Sequence, residues 1–238
     1  VLDPSERENQ ATLEDTIDMI NVQAKIEYLF PVPICKVELP DDVMVKLELE
    51  TNEILHEKKE DHADQLAGKI YEGEQIAVPR KGFMKMFIDT GIIAACEGYV
   101  KASTILDGRG IKMWKDFDLT FQKAWVVSQY AGDYNPVHTH SGTLSGVIYI
   151  KVPEQINKDS EPDGWLTFHN NREYDAMTLR FGMTNNKMPE RGHMYIFPAW
   201  LAHSVMPFRG PGERRSMAFN VHAIPTGKSD DNTFTINN

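Results

Sequence analysis

Residues 130–152 read YAGDYNPVHTHSGTLSGVIYIKV, and residues 192–220 read GHMYIFPAWLAHSVMPFRGPGERRSMAFN. Both stretches are dense in β-branched and aromatic residues, and both are bounded by Gly, Pro, Asn and Asp. That is the signature of strands joined by turns. Working outward, a period of two begins near Lys112 and runs to the end of the second stretch. It predicts strands at 119–130, 144–152, 164–170, 193–200, 203–208 and 214–224. Turns fall at AGDYNP, PEQINKDSEPDG and FRGPGE. The segment 172–192 holds one candidate strand at 178–183 and is otherwise loop, of a length that often faces substrate.

Upstream the pattern changes. IEYLFPVPICKVEL at 26–39 reads as an edge strand, because its prolines cannot donate to a ladder. Asp41 opens a helix in which Val43, Leu47, Ile54 and Leu55 form one stripe, with a charged later half that includes His56 and His62. A loop is expected at 73–83 and a second, apolar helix at 87–103, weakened by Gly98. Residues 1–24 form a polar arm; the piece 13–26 reads as a short amphipathic helix capped by Thr12 or Asp15. Helices followed by antiparallel strands predict a mainly β jelly-roll barrel with a helical buttress. Residues 25–226 form one domain, its buttress at 25–111 and its barrel at 112–226. Residues 227–238 are a loose tail.

Composition narrows the function. The 238 residues carry a formal net charge of -10, which disfavours nucleic acid and anionic membranes as partners. No run of about 18 apolar residues spans a bilayer. The two cysteines, Cys35 and Cys96, lack CxxC spacing and read as buried thiols, in keeping with a reducing compartment.

His138 and His140 are one residue apart. On a strand, residues i and i+2 share a face, so both imidazoles would reach one point inside a barrel. His203 ends the apolar run MYIFPAWLA, where a histidine either bonds a backbone carbonyl in the core or joins a ligand set. Taken together the three suit a single transition metal. Arg214 and Ser216 alternate on one face of their strand with Ala218, while Arg215 faces the outer side. No acidic residue alternates beside Arg214. A buried guanidinium wants a carboxylate or phosphate, so a small anion is its expected partner, with an internal salt bridge as the alternative. Tyr149, alternating with Val147, is placed to reach that anion or to pack in the core. Asn135 and Trp125 border the mouth.

These segments resemble the iron(II)- and 2-oxoglutarate-dependent oxygenases, and more narrowly a family of oxygenases from marine bacteria and cyanophages. The resemblance rests on Gly132, Asp133, Asn135, His138, His140, Leu144, Ser145, Gly146 and Tyr149 in the first block. Phe197, Pro198, Leu201, His203, Val205, Pro207 and Phe208 carry the second, and Arg214, Ser216, Phe219 and Asn220 the third. It spans about residues 27–224. It implies a double-stranded β-helix, iron(II) and 2-oxoglutarate as cofactors, O2 as co-oxidant, and hydroxylation of an unactivated C–H bond. Succinate and CO2 would be released, and the primary substrate would be a protein, with proline as one candidate side chain, or a small molecule. His138 and His203 would be ligands, and Arg214 with Ser216 would grip the cosubstrate. Position 140 departs from the superfamily, which expects a carboxylate there. His140 as third ligand, Asp133 as a carboxylate from the turn, or water all stay open. A cytoplasmic setting, the host's for a viral protein, is expected. Two further readings are a three-histidine cupin-type metal enzyme that ignores 2-oxoglutarate and a non-catalytic metal-binding barrel.

Overall fold

The computed structural model describes residues 32–57, 67–106, 116–169 and 184–226, together with strand backbone at 12–13 and 23–29. In chain order the elements are β1 (Thr12–Leu13), β2 (Gln23–Leu29), β3 (Val32–Glu38), α1 (Asp41–Glu57) and β4 (Glu74–Ala77). Next come α2 (Gly82–Phe87), a π-helical turn (Ile88–Ile92) and α3 (Ile93–Leu106). The barrel follows with β5 (Phe117–Gln129), β6 (Asn135–His138), β7 (Leu144–Lys151), β8 (Leu166–His169), β9 (Thr184–Lys187), β10 (His193–Pro198), β11 (His203–Val205) and β12 (Arg214–Pro225).

Two antiparallel sheets form. The larger has the order β1-β2-β3-β10-β7-β12-β5-β4, and the smaller β6-β11-β8-β9. They pack face to face through Ile34, Tyr149, Tyr195 and Phe197 from the large sheet against Leu166, Phe168 and Leu201. The other face of the large sheet is covered by helices: Met194, Ile196, Met217, Phe219 and Val221 meet Met44, Leu47, Phe87, Ile92 and Cys96. With both faces buried, its central strands read as near-continuous apolar runs. The helices thus lie behind the large sheet and leave its inner face to the site.

Three local features fix this arrangement. Gly146 on β7 makes room for a ring, since a Cβ there would lie 2.2 Å from Phe219 Cζ. Acidic Asp41 and Asp42 occupy the first turn of α1, where the helix dipole favours them. Behind the sheet, the buried Arg215 grips both carboxylate oxygens of Glu213 at 2.6 and 2.7 Å and donates to Asn52 Oδ1 at 2.6 Å and Thr51 Oγ1 at 3.2 Å. This ties α1 to β12. Ser128 Oγ donates to the same carboxylate at 2.8 Å, extending the tie to β5.

The mainly β fold with preceding helices agrees with the sequence reading, and the differences are local. The expected loop at 73–83 contains β4, which pairs with β5. The expected edge strand at 26–39 is two paired strands, with β3 inside the sheet between β2 and β10. Gln23–Leu29 is extended, so the end of the expected helix 13–26 is strand; its residues 14–22 lie outside the described residues, as do His62, the candidate strand at 178–183 and the tail. The apolar stretch 87–103 is helical throughout, as expected, with a π-turn at Ile88–Ile92 between α2 and α3. Arg215, expected on the outer side, is there but buried beneath α1. No described helix is long and apolar enough to cross a membrane.

Candidate metal and anion site

β6 and β11 are neighbours in the small sheet, with His203 directly opposite His138. His140 lies two residues past His138, beyond the end of β6, where its N–H donates to the Ala199 carbonyl at 2.9 Å. The loop after the strand, rather than strand alternation, presents this third ring. Ring centroids lie 4.4 Å apart for His138–His203, 4.9 Å for His138–His140 and 5.0 Å for His140–His203. One ligating nitrogen from each residue lies within 4.8 Å of the others.

The rings are pre-set for coordination. His138 Nδ1 meets the Pro136 carbonyl at 2.7 Å, and His203 Nδ1 meets the Leu201 carbonyl at 2.8 Å. A carbonyl oxygen only accepts, so both Nδ1 atoms carry the proton and both Nε2 lone pairs are free. His140 Nε2 lies 3.2 Å from His203 Nε2. Two nitrogens each about 2.0–2.1 Å from one ion, at a right angle, would be about 3.0 Å apart. The spacing suits one cation. Burial also keeps the rings neutral. It pushes His203 down to about 3, aided by the neighbouring His138, and His140 down to about 4, again with His138 adding to the effect. Burial lowers His138 too.

Asp133 is engaged elsewhere. Its buried carboxylate accepts the backbone N–H groups of Tyr71 at 2.7 Å, Tyr130 at 2.9 Å and Gly73 at 3.0 Å. It clamps the loop before β4 to the turn before β6, and it does not belong to the histidine group.

The three histidines line a chamber between the sheets that also reaches Arg214. That guanidinium is 1% exposed. Nε donates to the Gly164 carbonyl at 3.0 Å and Nη1 to Gln129 Oε1 at 2.6 Å. The Tyr149 ring centroid lies 5.1 Å from Cζ. Among the described residues no carboxylate stands within ion-pair distance, and Nη2 and the Tyr149 hydroxyl have no hydrogen-bond partner of good geometry. Burial lowers the arginine's pKa and pushes the tyrosine up to about 12. A buried cation with neutral neighbours calls for an anion. Ser216, opposite Tyr149 on the next strand, lines the same chamber. Asn135 lines it too, but its Oδ1 accepts from Gln129 Nε2 at 2.9 Å. Arg214 is thereby linked through Gln129 to the strand that carries His138.

Trp125 lines the chamber with its ring 5.6 Å from that of His140. Gln129 and Gly164 were not singled out by the sequence. Gln129 had a readable signal, since it alternates with Val127 and Trp125; a carbonyl such as that of Gly164 has none. His222 is exposed and lies 3.3 Å from Thr143 Oγ1. His169 meets Ser204 Oγ at 2.8 Å.

Residues 123–220 match a family model described as "Putative 2OG-Fe(II) oxygenase". The strands that carry the site thus resemble that family. The matched segment holds all three clustered histidines and Arg214. Solved structures resemble this chain in fold. One is an oxidoreductase of the 2OG-Fe(II) oxygenase family from Burkholderia pseudomallei, 11% identical, with 79% of this chain and 84% of that chain covered at a TM-score of 0.50. Another is a prolyl hydroxylase from Trichoplax adhaerens in complex with a hypoxia inducible factor peptide fragment, 12% identical, covering 81% and 83% at a TM-score of 0.50. A Pseudomonas putida prolyl-4-hydroxylase is 15% identical over 89% of this chain and 96% of that chain, at a TM-score of 0.45. No curated protein matches the sequence. The matched family's description implies iron(II), 2-oxoglutarate and O2 for its members.

Proposed function

We propose that this protein is an iron(II)- and 2-oxoglutarate-dependent oxygenase that hydroxylates an unactivated C–H bond, with His138, His140 and His203 holding iron(II) and Arg214, Ser216 and Tyr149 holding the far carboxylate of 2-oxoglutarate. One observation carries the reading: a fully buried guanidinium, without a carboxylate partner among the described residues, shares a chamber with three convergent neutral imidazoles. The bound metal and cosubstrate supply the oxidation, coupling O2 reduction and decarboxylation of 2-oxoglutarate to succinate and CO2 with insertion of one oxygen atom into the substrate.

The chain's own residues hold and orient. The Pro136 and Leu201 carbonyls fix the tautomers of His138 and His203, so their Nε2 atoms need no proton shift to bind metal. Arg214 Nη2 and the Tyr149 hydroxyl present two donors to one carboxylate. Gln129 orients the guanidinium without neutralising it, because an amide oxygen carries no charge. Val127, Val147, Phe197 and Ala218 line the walls and limit water around the reacting groups.

The neutral triad also favours a second reading, a three-histidine centre that ignores 2-oxoglutarate. One assay separates the two. Protein purified without oxygen is supplied with iron(II), 2-oxoglutarate and O2, and succinate is followed. Slow turnover that is lost in both Arg214→Ala and His203→Ala, with metal retained in the arginine variant, supports the proposal. Metal binding indifferent to 2-oxoglutarate supports the second reading.

A further inference from the structure

We propose that Asn220 determines specificity by reading an amide group of the primary substrate, beyond the metal cluster from Arg214. This rests on the function proposed above. Asn220 is 1% exposed, and among the described residues neither its Nδ2 nor its Oδ1 has a hydrogen-bond partner. Such a group is costly to leave unpaired in a folded protein and asks for an explanation.

Its position supplies one. On β12, Arg214, Ser216 and Ala218 line the chamber, while Met217, Phe219 and Val221 pack under the helices. Alternation places Asn220 on the chamber side, about 7 Å along the strand beyond Ala218. Ser145 of β7 and Lys123 of β5 stand opposite it in register. Ser145 lines the chamber, but its hydroxyl donates to the Phe219 carbonyl at 3.3 Å. Ala218 pairs with Trp125, the ring nearest His140, so Asn220 stands one step past the metal cluster. The β12–β5 pairing also shifts between Asn220 and Val221, and such bulges re-aim side chains beside active sites. Lys123 is exposed, with Nζ 5.4 Å from the Trp125 ring centroid; it is a movable neighbour rather than a wall.

The orphaned pair selects the ligand. A carboxylate would satisfy Nδ2 but set its negative oxygen against Oδ1. A planar amide offers one donor and one acceptor side by side, matching both atoms of Asn220 at once. The edge of adenine offers the same pattern, but a net charge of -10 disfavours a nucleic-acid partner. The structure therefore assigns a peptide or carboxamide group to this subsite, with the reacting C–H held between it and the metal.

The test uses the full chain loaded with zinc(II) and 2-oxoglutarate, which bind without turnover. It is titrated by calorimetry with N-acetyl-glycyl-Xaa-glycinamide peptides, Xaa being each standard residue, and with counterparts in which one amide at a time is an ester. In the parent, at least one peptide binds, and one ester replacement weakens it tenfold or more. In Asn220→Ala that peptide binds at least tenfold more weakly, and the amide-to-ester ratio falls to within twofold of one. An unchanged ratio in the variant overturns the proposal. So do loss of 2-oxoglutarate affinity in place of peptide affinity, preference for adenosine, or a panel without a binder. Failure of the function reading shows separately, as a parent protein that does not bind 2-oxoglutarate.

Discussion

Substituting Gln129→Glu should cost this protein its cosubstrate while leaving its metal in place. Gln129 Oε1 accepts from Arg214 Nη1 at 2.6 Å, so the nearly isosteric glutamate would set a carboxylate against a buried guanidinium. At an effective dielectric of about 20, two charges 4 Å apart attract by about 4 kcal/mol. Burial of the new carboxylate opposes that gain, as does loss of the Gln129 Nε2 donation to Asn135. Net stability should therefore move by no more than about 2 kcal/mol, or roughly 4–8 °C in Tm at this chain length. Affinity should move much further. An arginine already neutralised from within gives up charge-assisted bonding to an incoming carboxylate, worth about 1.5–3 kcal/mol per bond. That converts to a roughly 12- to 150-fold weaker Kd. The assay is calorimetric titration of 2-oxoglutarate into manganese(II)-loaded protein without oxygen, with metal affinity measured beside it. A Kd within threefold of the parent's would refute Arg214 as the anion grip.

The two candidates for the third ligand can be told apart. His140→Ala should weaken metal by about a hundredfold or more, since even a residue that only orients a ligand is worth 10- to 100-fold. Asp133→Ala should keep full metal stoichiometry but lose about 3–5 kcal/mol of stability through its orphaned backbone donors, read as a fall in Tm. Acid should destabilise the metal-free fold. His203 and His140 titrate at about 3 and about 4 when folded, against about 6.5 when unfolded. Between those limits the unfolded chain binds protons that the native one refuses, so Tm should fall as pH drops from about 6.5 toward 4. His203→Asn should flatten that slope. Gly146→Ala would drive a methyl into the Phe219 ring, 2.2 Å away, at a cost of about 1–3 kcal/mol, seen as a lower Tm in the metal-free protein.

The parts of the site built on strand alternation could be read from the sequence. Arg214 and Ser216 share the chamber face and Arg215 the other because a strand has a period of two. The same rule brought His140 to His138's side, although its ring in fact comes from the loop after β6. Neutral amides were harder to see. Gln129 and Asn220 matter through what stands beside them, and nothing in a strand sequence marks a carboxamide that lacks a partner. The strand β4 was hidden because Gly73, Pro79 and Gly82 around EQIA signal loop. The end of 13–26 misled because a short apolar pattern fits a helix or a strand, and the pairing of β2 with β3 decided between them.

The paired arginines at 214 and 215 have a consequence for assembly. Each belongs to one layer: one guanidinium closes the seam beneath α1, and the other enters the chamber. Sliding β12 by a single position during folding would send each to the other's layer, stranding one charge among aliphatic side chains and leaving Thr51 and Asn52 of α1 without their donor. The dipeptide thus acts as a key cut on both edges, which turns only when the buttress and the reaction chamber are aligned together.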